Sequence, residues 1–259
     1  MRLLSLILCV LASVSYAEEV DVELFLAVDM SQSMSFEELD LQRQGYAAAL
    51  TSPEVLHAIE RGPLGKIAIT YVEWAGVGRM RTIVPWTRLD TPDDAAEIAE
   101  EIATNFETTQ RGTSMSSVMF FAANSFEANK FRGLRKVLDI SGDGPNNTGP
   151  PVAPTRDRLL TQGIIINGLP LMPHGRAWDE WSIPDLDLYY AECVIGGPGA
   201  FVLPVRDWSE FSRAVRRKLV LELAARPAQP ERLWRSRSYD CLVGEKIWHR
   251  NMRLDFFSR

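Results

Sequence analysis

The feature that most constrains this chain is a repeated alternation of short apolar runs with segments of helical spacing. The run at residues 20–28 alternates at first and then becomes continuously apolar, as in a strand buried on both faces. Helical spacing follows over residues 35–50, where Ser35 and Glu38 form a capping-box pattern. Strands that alternate with helices predict a doubly wound, mostly parallel sheet with helices on both faces.

The same alternation continues to about Ala225. Glycines at positions 76 and 78 separate two strand-like runs, which predicts a hairpin and therefore one antiparallel edge strand. The remaining predicted strands are 136–140, 164–171 and 200–205, and the remaining predicted helices are 91–104, 113–128, 154–162, 186–194 and 207–225. We expect one α/β domain over residues 18–225 and a C-terminal tail over residues 226–259.

The first 17 residues are typical of a secretory signal peptide. Arg2 precedes an apolar run, and Ser15 and Ala17 place small residues at both specificity positions of a cleavage site. A membrane or lipoprotein anchor is the alternative, but the run is shorter than the roughly 20 residues of a spanning helix. We expect residues 1–17 to be removed and the mature protein, without a membrane span, to be exported. In a bacterium it would be periplasmic or secreted.

Charge and motif content exclude several classes of function. The chain carries a net charge of −6, and removal of Arg2 leaves 27 basic against 34 acidic residues, so the mature charge is −7. Without a long basic stretch, nucleic-acid binding is not expected. Without C-x-x-C or H-E-x-x-H spacing, a zinc module is not expected either.

Two cysteines, Cys193 and Cys241, remain once Cys9 leaves with the signal peptide. In an oxidising compartment two cysteines suggest one disulfide, which would pin the tail to the domain. Two buried free thiols are the alternative.

Polar residues follow the carboxyl ends of two predicted core strands. Asp29, Ser31 and Ser33 form a D-x-S-x-S turn after the first strand, and Asp143 follows a later strand. Thr113, at a predicted helix start, adds another hydroxyl. Carboxylate and hydroxyl oxygens suit a hard divalent cation such as Mg²⁺. The alternative is that Asp29 and the serines only cap the first helix and tie its turn.

The order D-x-S-x-S, then Thr113, then Asp143-Gly144 resembles the metal-ion-dependent adhesion site (MIDAS) of von Willebrand factor A domains. This resemblance extends over residues 20–225 and implies a Rossmann-type three-layer sandwich. The segments I-T-Y-V-E-W (69–74), I-S-G-D-G-P-N-N (140–147) and C-V-I-G-G-P-G-A-F-V (193–202) resemble an uncharacterised group of exported bacterial proteins with this domain.

The resemblance also implies a role for each predicted ligand. Ser31 and Ser33 would bind the metal directly, and Asp29 directly or through a water. Thr113 would bind when a partner is engaged, and Asp143 mostly through water. Many such domains read Thr-Asp-Gly at the last position, whereas here a glycine precedes Asp143. An inserted glycine would shift that carboxylate.

These observations predict a binding module, not an enzyme. It would hold one divalent cation, Mg²⁺ with Ca²⁺ or Mn²⁺ as alternatives, and capture an Asp or Glu carboxylate of a protein partner. Arg176, Trp178 and Trp181 would form a partner-contacting rim, because these residue types are favoured at hot spots. A packed surface loop is the alternative.

Two other classes of function stay open at this point: a metal-assisted hydrolase and a scaffold with a vestigial site. A hydrolase needs a general base, and only His174 is a candidate near the constellation. Neither a G-x-S-x-G elbow nor a D-x-D nucleophile motif accompanies the site.

Two further patterns admit simple interpretations. Residues 146–148 form a glycosylation acceptor, more simply part of a proline-rich loop. The basic residues of the last helix, Lys218 among them, are expected to form a solvated face.

Overall fold

The computed structural model describes residues 17–105, 109–172, 181–224 and 239–257. Its strands are β1 (Glu18–Asp29), β2 (Ile67–Trp74), β3 (Met80–Leu89), β4 (Phe131–Gly142) and β5 (Ile164–Pro170). They form a sheet in the order β3-β2-β1-β4-β5. The β2–β3 pair is antiparallel and the other three pairs are parallel. The predicted doubly wound, mostly parallel sheet with one antiparallel edge strand is confirmed.

Helices cover both faces of this sheet. They are α1 (Phe36–Leu50), α2 (Pro53–Glu60), α3 (Pro92–Thr104), α4 (Met115–Ala128), α5 (Val152–Thr161), α6 (Leu186–Tyr189), α7 (Phe211–Leu223) and α8 (Val243–Phe257). A π-helical turn over Tyr190–Val194 continues α6, and a 3₁₀ turn over Trp208–Glu210 precedes α7. Helices α1, α2, α3 and α7 pack on one face, and α4, α5 and α6 pack on the other.

The centre of the sheet is β1, because its residues are apolar on both faces. From Val20 to Asp29 every residue is buried. Leu24 and Leu26 belong to the core on the α1 face, whereas Phe25 and Ala27 belong to the core on the α4 face. This alternation follows from the two-residue period of a strand. The strand therefore holds its terminal residue, Asp29, rigidly at the carboxyl edge.

Side-chain caps determine where two of the helices begin. The Ser35 hydroxyl accepts from the Glu38 N–H at 3.2 Å, and the Glu38 carboxylate accepts from the Ser35 N–H at 2.8 Å. Thr91 and Asp94 make the same reciprocal cap at α3. Such a cap contributes about 1 kcal/mol. The cap at Ser35 ends the turn that contains the D-x-S-x-S residues.

Two predictions about individual segments are wrong. Residues 200–205 do not form a regular strand: only Val202 and Val205 bridge to the edge of the sheet, at Gly168 and Leu171. Pro204 interrupts this stretch and has no N–H to donate to a ladder. Lys218 is buried instead of solvated, because it pairs with buried carboxylates.

Two helices were not predicted at all. Helix α2 is short, and helix α8 lies in the segment expected to be a tail. Among the described residues, no helix is both long enough and apolar enough to cross a membrane.

Candidate metal centre

The first loop of the site follows β1 and gathers three of the predicted ligands. The Ser31 N–H donates to Asp29 Oδ1 at 2.8 Å, so the carboxylate closes its own turn. The Ser31 and Ser33 hydroxyl oxygens lie 2.8 Å apart. Asp29 and Ser31 are buried, whereas Ser33 is exposed to solvent. The loop therefore extends from a buried carboxylate to an exposed hydroxyl.

The loop after β4 brings the fourth predicted ligand to the same place. Strands β1 and β4 are parallel neighbours although they are far apart in sequence, so their carboxyl ends meet at the switch in strand order. The Ser33 hydroxyl donates to Asp143 Oδ1 at 2.8 Å. Gly142 does not carry the Asp143 carboxylate away from the cluster.

The two carboxylates leave one polar atom unsatisfied. Asp29 Oδ2 is buried and accepts no hydrogen bond from any described residue. Burial, together with the nearby Asp143 carboxylate, raises the pKa of Asp29 well above its usual range. A cation between the two groups would favour their ionised forms, because it compensates buried negative charge.

A buried tyrosine forms one wall of this site. Tyr190 lies in the π-helical turn, and its hydroxyl donates to the Gly142 carbonyl at 3.4 Å. Burial, followed by the Asp29 charge, raises the pKa of Tyr190 well above its usual range, so the phenol is neutral. Nothing in the sequence points to Tyr190, because only the fold brings the π-helical turn beside Gly142.

The second loop, which leads into α4, lies between the other two. Gln110 N–H donates to the Met30 carbonyl at 3.2 Å, and Gln32 N–H donates to the Gln110 carbonyl at 3.0 Å. Thr113 N–H donates to Asn147 Oδ1 at 2.9 Å, and Asn147 N–H returns a bond to the Thr113 carbonyl at 2.9 Å. These bonds fix the Thr113 backbone. No hydrogen bond among the described residues joins its hydroxyl to the other predicted ligands.

The cluster has the composition of a hard-cation site. Two carboxylates and neutral hydroxyl groups are all oxygen donors, which Mg²⁺, Ca²⁺ and Mn²⁺ prefer. Within the described ranges no group of three or more His, Cys, Asp or Glu side chains is arranged so that it could hold a metal ion by itself. Any cation held here would therefore depend on the hydroxyl groups of the serines and threonine.

The predicted rim is only partly visible. Arg176 and Trp178 lie outside the described residues, as does His174. Trp181 is half-buried, and its ring centroid lies 5.3 Å from that of Trp248 on α8. Nothing in the sequence singles out Trp248, which lies in the expected tail.

The tail also contacts the third loop of the site. A disulfide joins Cys193 to Cys241, whose Cα atoms are 5.5 Å apart. Glu245 on α8 accepts a hydrogen bond from Asn146 Nδ2 at 2.7 Å. Asn146 is wholly buried, so the glycosylation motif that it begins is inaccessible in the folded protein.

Comparisons with known proteins identify the family of this chain and its fold. The family model described as "Protein of unknown function (DUF1194)" matches residues 19–227. A search of curated proteins finds no match. A structure of proximal thread matrix protein 1 from the mussel byssus, described as having a zinc-occupied MIDAS motif, is 18% identical with a TM-score of 0.55. The match covers 80% of this chain and 48% of that one.

Two bacterial structures show the same likeness. A von Willebrand factor type A structure from Catenulispora acidiphila is 15% identical, with a TM-score of 0.52, over 79% of this chain and 43% of that one. The pilus adhesin SpaC from Lactobacillus rhamnosus GG is 11% identical, with a TM-score of 0.57, over 80% and 32%. The chain thus spans less than half the length of each of the three relatives. The implied von Willebrand factor A fold is confirmed.

Proposed function

Because the chain belongs to the family described as protein of unknown function (DUF1194) and has the von Willebrand factor A fold, we propose that it is an exported protein-interaction module. It binds one divalent cation through Asp29, Ser31, Ser33, Thr113 and Asp143. It uses that cation to capture an Asp or Glu carboxylate of a protein partner. One structural relative is by its description a pilus adhesin, which supports a binding role over an enzymatic one.

The observation that carries this proposal is the buried Asp29 Oδ2 atom, which has no partner among the described residues. A buried carboxylate oxygen is costly unless a hydrogen bond or a cation compensates it. The Asp143 carboxylate is close enough to act electrostatically on Asp29. The Ser31 and Ser33 hydroxyl groups form a hydrogen-bonded chain to Asp143, so further oxygen donors belong to the same cluster. The residues present therefore fit a hard divalent cation.

The same donor set supports capture of a partner's carboxylate. The serine hydroxyl groups are neutral and donate less charge than carboxylates would. A cation held partly by neutral oxygens stays electrophilic, and its charge dominates recognition even on an acidic protein. Every donor is oxygen, which suits Mg²⁺, Ca²⁺ and Mn²⁺ alike; we propose Mg²⁺, with Ca²⁺ and Mn²⁺ as alternatives.

Two observations support export. Strand β1 begins at Glu18, directly after the expected cleavage at Ala17, so the whole strand would survive processing. The Cys193–Cys241 disulfide is a bond that forms and persists in oxidising compartments. Domain boundaries at 18–225 and a rim of Arg176, Trp178 and Trp181 are parts of the same proposal.

The test is a calorimetric titration of chelator-stripped mature protein with Mg²⁺, Ca²⁺ and Mn²⁺. We expect one-site binding, weakened roughly 100-fold or more in Asp29→Ala, because a direct ligand matters more than the supporting residues around it. Ser33→Ala, at an exposed position, should weaken binding without loss of stability. Asp157→Ala, a surface aspartate paired with Arg156, is the matched control and should bind like the parent.

The partner is sought by a pull-down with metal-loaded protein. Capture should be lost with chelator and with Asp29→Ala. If the parent binds none of the three ions, the proposal is overturned and the site is vestigial. Hydrolysis of a phosphate ester that depends on both the metal and Asp29 would support the metal-assisted hydrolase instead.

A further inference from the structure

Helix α8 lies outside the region that the family model matches, yet it contacts the loop that carries Asp143. At Gly244, its second residue, a Cβ atom would lie 2.1 Å from the Asn146 carbonyl oxygen. The backbones of the helix and the third loop are therefore in direct contact. Asn146 follows Asp143 by three residues, so this contact is close to a predicted ligand.

The side chain of Asn146 is bonded at both ends. Its Nδ2 donates to Glu245 Oε1 at 2.7 Å and to the Pro150 carbonyl at 3.3 Å. Its Oδ1 accepts from the Ser116 N–H at 3.2 Å and from the Ser116 hydroxyl at 3.4 Å. A carboxylate can only accept, so Glu245 requires the amide nitrogen to face it. The amide oxygen then faces Ser116.

The Asn146 amide oxygen caps the start of α4, which has no side-chain cap of its own. The first N–H groups of a helix have no partner within the helix. Ser114, at the N-cap of α4, makes no side-chain capping bond, and Asn146 supplies an acceptor to Ser116 in its place. The next residue, Asn147, exchanges two hydrogen bonds with Thr113. Two adjacent asparagines thus hold the segment from Thr113 to Ser116.

We propose that Glu245 is a positioning residue for the metal site: it orients the Asn146 amide, which anchors the start of α4 and so places Thr113. The inference rests on the proposed function, because it concerns the affinity of the same site. The disulfide at Cys241, four residues before Glu245, links the segment that leads into α8 covalently to Cys193.

The test exchanges the amide and the carboxylate between positions 146 and 245. Asn146→Asp keeps an acceptor for Ser116 but places two carboxylates face to face. Adding Glu245→Gln to Asn146→Asp restores the hydrogen bond in the opposite direction, because the new amide at 245 donates to the new carboxylate at 146. We expect Asn146→Asp and Glu245→Ala each to weaken Mg²⁺ affinity about tenfold, the lower range for residues that support ligands. The double variant should recover to within about twofold of the parent, because the two positions are coupled.

Two readouts are taken on mature protein: Mg²⁺ affinity by calorimetry, and hydrogen exchange of the Ser116 amide in metal-free protein by NMR. The two weakened variants should exchange faster at Ser116. Glu245→Gln alone keeps a carbonyl acceptor and should resemble the parent in both. Lys246→Ala, an exposed change on the same helix, is the control for damage to α8.

Three results would overturn the inference. One is Glu245→Ala binding Mg²⁺ as tightly as the parent. Another is a double variant no better than Asn146→Asp alone. The last is unchanged exchange at Ser116. If the parent protein binds no metal, the proposed function is overturned and this inference with it. That failure is distinguishable because it is seen in the parent protein, before any variant of α8 is measured.

Discussion

Gly142 lies at the end of β4, where two polar side chains approach its backbone. A Cβ atom at this position would stand 2.8 Å from Asp29 Oδ2 and 3.1 Å from the Tyr190 hydroxyl. Real Cβ atoms do not tolerate the first distance, so Asp29 would have to move. The absence of a side chain at 142 is therefore a requirement of the site.

This close approach predicts that Gly142→Ala damages the metal site. The added methyl group must displace the Asp29 carboxylate, so we expect Mg²⁺ affinity to fall about tenfold. Overpacking should also lower the free energy of unfolding by about 1–3 kcal/mol. Calorimetric titration and urea unfolding measure the two effects.

The matched control is Gly144→Ala in the same loop, where an added Cβ meets no atom within 4 Å. It should leave both metal affinity and stability close to the parental values. Equal metal affinities in the two variants would show that the contact with Asp29 does not limit the site.

For single residues, the sequence predicts which side chains could be ligands better than it predicts how closely their atoms approach one another. Asp29, Ser31 and Ser33 could be grouped because alternate residues after a strand point to one place. Asp143 could be added because β4 ends at the same edge. The need for glycine at position 142 could not be predicted, because it depends on how closely the Asp29 carboxylate and the Tyr190 hydroxyl approach its backbone, and only tertiary packing determines that.

Among the elements, α7 is unusual because it buries a charged cluster. The Lys218 ammonium lies 2.5 Å from Asp139 Oδ1 on β4 and contacts the Glu222 carboxylate. Asn167 on β5 donates to the same Glu222 carboxylate at 3.0 Å. The Asp139 and Glu222 carboxylates thus share one lysine. The neighbouring Tyr46 phenol on α1 is neutral, so it does not compensate the second negative charge.

This imbalance predicts a pH-dependent stability. Burial raises the pKa of Asp139 from its ordinary 3.8 to about 7, against the opposing effect of Lys218. The folded state therefore holds a proton that the unfolded state releases, so stability falls as pH rises from about 4 to about 7. One such group contributes a slope of up to about 1.4 kcal/mol per pH unit. Asp139→Asn should lose this slope and keep Lys218 paired with Glu222.

The measurement is urea unfolding at four pH values from about 5 to 8. Asp157→Asn, a change at an exposed aspartate, is the control and should follow the parent. If Asp139→Asn shows the parental slope, Asp139 is ionised throughout the range and the pKa assignment is wrong.

The same cluster shows why element-level prediction fails locally. Lys218 lies among arginines, so its helix suggests a continuous solvated basic face. Burial of Lys218 depends on Asp139, a single acid within an apolar strand, which the sequence does not link to α7. The capping box at Ser35 was predictable because both of its members lie in one turn.

In the whole molecule, the proposed site is formed by segments that lie far apart in the sequence. The sheet brings β1 and β4 together at its switch point, and the disulfide returns the C-terminal segment to the same edge. The first could be predicted from alternating strands and helices. The position of α8 could not, because among the described residues it rests on tertiary contacts such as the Glu245–Asn146 hydrogen bond and the partly buried side chains of Val243 and Ile247.

Because the apolar side chains of α8 that the structure describes in this contact are only partly buried, we expect the disulfide to hold α8 in place. The paired change Cys193→Ser and Cys241→Ser opens a connection between residues 48 apart in sequence. Such a loss costs about 2–4 kcal/mol of unfolding free energy. Local opening follows the weakest packing, so α8 should lose protection before the sheet does.

Native-state hydrogen exchange distinguishes these two parts of the molecule. In the paired variant the amides of α8 should exchange much faster, while those of β1 should change only by the global loss of stability. The ring contact between Trp181 and Trp248 offers a second probe, because its separation would change tryptophan fluorescence without global unfolding. Equal changes of protection in α8 and β1 would mean that the C-terminal segment unfolds with the domain and that its packing, more than the disulfide, keeps it on the site.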